Sequence, residues 1–243
     1  MIVFITFWVL IIFTLIRQDI RTISWQDWLL DIVGLLFQGL VIPILQITVV
    51  YQGYKMLFSE WENSINLGSS LAFILSFVLI DYLYYWNHRL LHTPWLWPLH
   101  QVHHTMTQRN VFGTSRNTLW TSFFILYLWV HSLFIYLLAD PTGYILGVSL
   151  TSALDLWRHS EIEPKPNSFI TRFLSPWLIL PLDHAWHHSN NSTIGNYGAN
   201  LKIWDRVHGT YFFHDLPPIH LGIKTKLTLI QKFFFLSFSN FYL

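Results

Sequence analysis

The chain contains no cysteine, which removes both a disulfide framework and any thiolate metal site. A metal ion, if one is held, must be held by His, Asp or Glu. Charge is scarce as well. Only 11% of the 243 residues are charged, less than half the roughly 25% of ordinary soluble domains. Fourteen basic against 13 acidic residues leave a net charge of +1, so no whole-chain field favours nucleic acid. No haem-, flavin- or nicotinamide-binding motif is evident, and no H-E-x-x-H hydrolase signature, internal repeat or disordered linker. What is abundant is apolar surface, 53% of residues, aromatic surface, 18%, and histidine, with 13 copies.

The apolar residues are bunched, which points to a bilayer as the solvent. Residues Ile2–Ile16 form a nearly unbroken apolar run, read as an anchor helix rather than a signal peptide: no basic n-region precedes it and no small-residue cleavage site follows. Trp28–Val50 is long enough to cross, with a kink expected at Pro43. Ser69–Trp86 is a third run and leads into the first histidines. Asn117–Leu138 is a fourth, Asp140-Pro141 turns, and Thr142–Trp157 returns as a short helix. Phe173–Leu182 and Phe233–Tyr242 read as interfacial segments. With this layout Lys55 lies on one side. The other 13 basic residues, from Arg17 and Arg21 to Lys232, share the opposite face, which the positive-inside rule makes cytoplasmic. The histidine clusters lie on that face too. The fold expected is an all-α membrane protein of four to five transmembrane helices, with a cytoplasmic helical cap holding a His-rich dinuclear metal site. Residues 1–243 form one membrane-embedded domain in this reading.

Three clusters carry the chemistry. His88 and His92 are spaced i, i+4 and stack on one face of a helix continuing from the third run. His100, His103 and His104 have the pattern H-x-x-H-H, and so do His184, His187 and His188. On a helix, the first ring of such a group lies beside the third-on and the fourth-on. His159 is a single further candidate at the end of the returning helix. Imidazole suits Fe, Zn, Cu and Ni, and poorly serves Mg or Ca. Eight or nine imidazoles are too many for one tetrahedral site; two ions with four or five ligands each would use them all. So many protonatable rings crowded together without metal would suffer desolvation and mutual repulsion. His131, inside the fourth run, His208, His214 and His220 read as interfacial or capping residues, although an ionisable group within a span is a functional hint.

These residues resemble the fatty acid hydroxylase superfamily, also called the sterol desaturase family. Asp81-Tyr82-Leu83-Tyr84-Tyr85-Trp86-Asn87-His88-Arg89-Leu90-Leu91-His92 is similar to its Asp–aromatic–Trp–x–His–Arg–x–x–His signature, and His100–His104 and His184–His188 to its two H-x-x-H-H boxes. Trp157-Arg158-His159-Ser160 resembles the segment that supplies a further ligand. Asn196-Tyr197-Gly198 and Trp204–Thr210 resemble the closing motifs. The likeness covers residues 71–211. It implies His88, His92, His100, His103, His104, His159, His184, His187 and His188 as ligands of two iron ions, with O2 as co-substrate. It implies hydroxylation, desaturation or ether cleavage of a lipid such as a sterol, fatty acyl chain, alkylglycerol or carotenoid. Electrons are expected from an external reductase, cytochrome or ferredoxin. Some relatives carry a histidine where this chain has Asp155, here read as an acceptor orienting an imidazole. Asp81 and Asp183 are expected to accept imidazole N–H groups or to form ion pairs, with Asn196 as a further supporting residue. Arg116 is expected to cap the fourth run or meet a lipid headgroup, and Trp95, Trp97, Trp120 and Trp177 to form an aromatic belt. The competing readings are a zinc enzyme without redox chemistry, a metal transporter and a haem protein. Transport would place histidines along the spans, and haem would leave the H-x-x-H-H groups unexplained.

Overall fold

From Trp25 to Leu57 the chain offers a helix only four weak points, Gly34, Gly39, Pro43 and Gly53, and the helix runs through all of them. A computed structural model of the chain describes residues 1–17, 23–190 and 195–234; Arg21 and most of the aromatic tail expected at Phe233–Tyr242 lie outside them. Helix α1 is Ile2–Arg17. Helix α2, Trp25–Leu57, has 33 residues, about 50 Å at 1.5 Å per residue. Ser24 caps its start, accepting from the Asp27 amide at 3.1 Å. Pro43 does not end it. The π-turn at Phe37–Val41 re-registers the hydrogen-bond ladder, so that the Ile42 amide bonds to the Phe37 carbonyl, just before the residue that has no N–H to give.

Helix α3, Ser69–Leu91, has 23 residues and carries the third run through His88 without interruption. Helices α2 and α3 are the two described helices long and apolar enough to cross a membrane. In their most apolar windows only 11% and 28% of residues are buried. The core helix of a soluble protein would be mostly buried, so these faces are turned outward. Leu36, Leu40, Ile44 and Ile47 are among the exposed residues of α2.

Beyond α3 come one helical turn, α4 (Trp97–His100), and two 3-10 turns, His103–Thr105 and Val111–Ser115. The expected fourth span is not one helix. It is α5 (Thr121–Phe124) and α6 (Tyr127–Leu137), and the 11 residues of α6 span only about 16 Å. The break has a partner of its own. The Asn87 side chain accepts from the Leu126 amide at 3.2 Å and donates to the Phe124 carbonyl at 3.0 Å, replacing the helical bonds that the interruption frees.

Helix α7 (Thr142–Arg158) then packs on the start of α3. A Cβ at Gly143 would strike the Ser69 carbonyl, and one at Gly147 the Ser76 hydroxyl, so this small-x-x-x-small pair sets the closeness of the two helices. On its other side Leu156 meets Leu10 and Ile11 of α1 in one buried cluster. Short helices α8 (Phe169–Leu174), α9 (Pro181–His187), α10 (Ile203–Val207) and α11 (Leu229–Phe234) complete the described chain. No β-sheet occurs among the described residues, only three isolated bridges. The ends of α3 and α7, together with α4 and α9, converge at one end of the molecule, and the histidines meet there.

Candidate metal centre

The nine histidines singled out from the sequence fall into two groups. His88, His92, His100, His104 and His187 form one; His103, His159, His184 and His188 form the other. Within each group one nitrogen per ring lies within 4.8 Å of all the others. All nine except His92 are buried, and His92 is half-buried. The closest approaches are between Nε2 atoms: 3.1 Å for His88 and His100, 3.0 Å for His159 and His184, 3.1 Å for His184 and His188, and 3.4 Å for His103 and His159. Two nitrogens each about 2.1 Å from one ion sit about 3.0 Å apart at a right angle and about 3.4 Å apart at a tetrahedral angle. The spacing therefore suits a shared ion.

Each H-x-x-H-H box serves both groups. In the first, His100 and His104 go to the five-ring group while His103 goes to the other. In the second, His184 and His188 go to the four-ring group while His187 crosses over. The i, i+4 pair stays together and the ring between is sent across. The first box is not one helix, as expected, but an α-turn followed by a 3-10 turn, with Thr105 bonding back to the Val102 carbonyl at 3.1 Å. The two groups abut, with His104 and His188 stacked at 4.5 Å between ring centroids.

Backbone carbonyls fix four of the rings. His88 Nδ1 donates to Tyr197 O at 2.8 Å, His103 Nδ1 to Arg116 O at 3.2 Å, His159 Nδ1 to Asp155 O at 2.8 Å, and His187 Nδ1 to Gly195 O at 2.7 Å. A carbonyl only accepts, so each Nδ1 carries the proton and each Nε2 lone pair faces its group. Among the described residues, His92, His104 and His187 leave Nε2, and His100, His184 and His188 leave Nδ1, buried with no hydrogen-bond partner. Such atoms are costly unless something else engages them. Burial first, and the neighbouring imidazoles second, hold His92, His100, His104 and His184 well below the ordinary histidine range. Burial also brings His187 down to about 4. The rings are neutral near pH 7, the state in which imidazole ligates a metal. A donor set of neutral imidazoles alone fits a borderline transition metal.

The supporting residues match expectation in part, Asp183 forming one of the ion pairs expected. Asp81 and Asp183 do not accept from imidazoles. Asp81 takes the Asn200 amide at 2.7 Å, the Leu201 amide at 3.0 Å and the Trp204 indole at 2.9 Å. Asp183 takes Lys202 Nζ at 2.8 Å, the Leu180 amide at 2.8 Å and the Tyr211 hydroxyl at 3.1 Å. Both are buried clamps, because unpaired donors from the 195–211 segment reach them first. Asn196 is another clamp, donating to the Asp183 and Phe212 carbonyls at 2.8 and 2.9 Å. Asp155 orients His159 through its backbone; its carboxylate pairs with Arg158 at 2.7 Å.

Arg116 neither caps a span nor reaches a headgroup. It is buried against Asp31 at 2.6 Å and Asp27 at 3.0 Å, both on α2. A Cβ at Gly34 of α2 would meet the Ser115 carbonyl next to it, so helix and loop are in direct contact. His131 belongs to neither group and bonds through Nδ1 to the Tyr144 hydroxyl at 2.9 Å. His208 meets the Tyr82 hydroxyl at 3.3 Å. Trp95 and Trp177 are exposed, as a belt requires, whereas Trp97 is half-buried against His92 and His104, 5.2 Å from each.

Sequence reading missed the four carbonyls and Asp205, and for the carbonyls no signal existed, since every residue has one. Asp205 accepts from the Tyr197 and Gly198 amides at 2.8 Å each, and so holds the strand of chain whose carbonyls hold His88 and His187. Its place in the Trp204–Thr210 motif was the available sign.

Comparison with known proteins agrees with this geometry. The family model for the fatty acid hydroxylase domain matches residues 73–210, more than half of the chain and all nine histidines. The chain belongs to the fatty acid hydroxylase family. Within it, the chain is 24% identical over 191 residues to alkylglycerol monooxygenase of Xenopus tropicalis, covering 76% of this chain and 39% of the relative. It is 32% identical over 148 residues to ornithine lipid hydroxylase of Rhizobium tropici, covering 59% and 42%. Methylsterol monooxygenase 1 of Rattus norvegicus is 28% identical over 189 residues, covering 73% and 60%. The chain thus spans well under two thirds of the length of the first of these relatives. No solved structure matches it.

Proposed function

We propose that this member of the family is a membrane-embedded monooxygenase that hydroxylates a lipid, with two iron ions held by the nine histidines and O2 as co-substrate. The observation that carries the reading is the pairing of two separate imidazole groups, each gathered within 4.8 Å, beside one shared cavity. That cavity, of about 280 Å³, is lined by His88 and His100 of one group, His103, His159 and His184 of the other, and Leu35, Gly39 and Ile42 of α2. The names of the relatives, a monooxygenase of alkylglycerols, one of methylsterols and a hydroxylase of an ornithine lipid, support lipid hydroxylation over desaturation.

When bound, paired iron ions activate oxygen for attack on an unactivated C–H bond. The protein's own share is positional. Carbonyls of Asp155, Arg116, Tyr197 and Gly195 keep four rings in the tautomer that faces the centre. Buried walls exclude water, and the α2 side of the cavity receives an apolar chain. In our reading α1, α2, α3 and the broken α6 with α7 make up the four to five spans. The histidine end lies with the basic residues on the cytoplasmic face, where an external reductase, cytochrome or ferredoxin delivers two electrons.

The test is elemental analysis of the protein purified in detergent, followed by turnover under labelled oxygen with a reductase and a lipid panel. About two irons per chain and label in a hydroxylated lipid are expected. Zinc retained through iron reconstitution, with no oxygen incorporated, would overturn the redox reading and leave the metal site standing.

A further inference from the structure

The cavity beside the histidines meets the outside at one residue. Among the described residues that line it, only Gly39 of α2 is exposed. The packing of α2 shows why. Gly34, Gln38 and Ile42, at intervals of four along the helix, all hold it to its neighbours. A Cβ at Gly34 would strike the Ser115 carbonyl, Gln38 donates to the Ser122 hydroxyl, and Ile42 is buried in one cluster with Leu128 of α6. Gly39 follows Gln38 within the π-turn Phe37–Val41, beside that seam. A Cβ there would meet nothing within 4 Å, so the described neighbours stand off from it. Leu36 and Leu40 next to it are 58% and 56% exposed. Gly39 lies about 21 Å along the axis from the start of α2, near the middle of the helix. The opening therefore gives onto the outward apolar face of α2 and not onto a polar end.

Such a rim offers an entering molecule little but apolar contact. Glycine contributes only backbone, which the helix already bonds, and the Gln38 amide is engaged by Ser122. A hydrocarbon chain passes it without losing hydrogen bonds, whereas a headgroup would be stripped of water there. We infer that Gly39 is the mouth of the cavity, through which the alkyl chain of a lipid enters sideways from the bilayer and not from the aqueous face. The inference deepens the lipid reading above and rests on it for its ligand class, but its test needs neither metal nor turnover. At about 280 Å³ the cavity is at the small end of ligand pockets. It takes part of one chain, and the rest of the lipid stays in the bilayer outside Gly39. What position 39 contributes is the absence of a side chain, since a large one would stand in the gap.

The experiment uses the full chain in phosphatidylcholine vesicles and has two parts. The chain has no cysteine, so Gly39→Cys carries a single thiol. A charged methanethiosulfonate should modify it as slowly as Leu36→Cys on the outward face, and at least about tenfold more slowly than Lys55→Cys, because hydrocarbon excludes the reagent's charge. The second part loads the vesicles with 1-hexadecanol carrying a mid-chain diazirine, irradiates them, and maps the label by mass spectrometry. The wild type should be labelled on cavity-lining residues such as Ile42 and Ile125. Gly39→Trp should cut that labelling at least about fivefold by hindering entry, and Gly39→Ala should keep it. Gly53→Trp, at the other glycine of α2 where a Cβ meets nothing, should leave it unchanged, and all three variants should keep the wild-type unfolding temperature. Fast modification of the Gly39→Cys thiol by the charged reagent, or undiminished cavity labelling in Gly39→Trp, would overturn the mouth and leave the lipid reading standing. A wild-type cavity that takes no label would remove the lipid reading, and the mouth with it.

Discussion

The two histidine groups are built differently. The five-ring group consists of two i, i+4 pairs, His88 with His92 and His100 with His104, plus the single His187. Four of its five rings are neighbours because local winding makes them so. The four-ring group has one such pair, His184 with His188, and takes its other rings singly, His103 from the loop after α4 and His159 from the end of α7. Each single ring needs its own anchor. For His103 that is the Arg116 carbonyl, on a loop tied to α2 by the Asp27–Arg116–Asp31 ion pairs. For His159 it is the carbonyl one turn earlier in α7. The first group is built mainly from local pairs, and the second gathers its single rings from separate elements.

The largest expected effect breaks this contrast at the four-ring group. His184→Ala leaves three rings there, and under the proposed reading it should lower bound metal to about one ion per chain and turnover at least about 100-fold. His92→Ala leaves four rings in the other group and should lose visibly less of both. Metal per chain by elemental analysis decides the order, and equal losses would remove the distinction between the groups.

Next is the anchor of His103. Arg116 is 3% exposed and Asp31 fully buried, so Asp31→Ala leaves a buried guanidinium with only the more exposed Asp27 as its carboxylate partner. The expected cost is about 3–5 kcal/mol, read as a lower unfolding temperature in detergent. Arg116→Met with Asp31→Leu should recover most of that stability. Recovery of metal binding too would show that the carbonyl, and not the charge, is what His103 requires.

Acid acts on both groups together. His92, His100, His104 and His184 are held below the ordinary value of 6.5, and His187 to about 4, so below pH 6.5 the unfolded chain takes up protons that the folded chain refuses. Stability of the metal-stripped protein is then complete above pH 6.5 and declines as pH falls from 6.5 toward 4. An unfolding temperature flat from pH 8 down to pH 5 would mean that the rings are not neutral and buried.

The smallest effect sharpens the account of His159. Because its Nδ1 is held by the Asp155 backbone, with the nearest carboxylate oxygen 3.6 Å away, Asp155→Asn should change metal affinity by less than about threefold. A loss of 10- to 100-fold, the usual result of removing a supporting partner, would return the role to the carboxylate.

Much of the site was legible because its signal is local. His88 and His92 fall on one helix face by spacing alone, and the H-x-x-H-H patterns announce clustered rings. The long apolar runs likewise appear as α2 and α3, since nothing in them forces a stop. The run at 117–138 misled for a physical reason. Hydropathy registers the apolar side chains of 123–138 but not the Asn87 amide, 37 to 39 residues before its partners at the break, that replaces the freed helical bonds. Asp81 and Arg116 were misread in the same way: a buried charge goes to whichever unpaired donor or acceptor the fold brings nearest, and sequence spacing carries no record of that.

By itself, then, the sequence determined that any metal must be held by nitrogen or carboxylate, that the chain has outward apolar helices, and that nine histidines stand in ligand-like patterns. Each of these follows from composition or from helical period. Only the tertiary structure decided how the nine divide into five and four and which carbonyl fixes each anchored ring. Those depend on contacts between residues scores of positions apart, where the free energy of burying a polar group, not local winding, selects its neighbour.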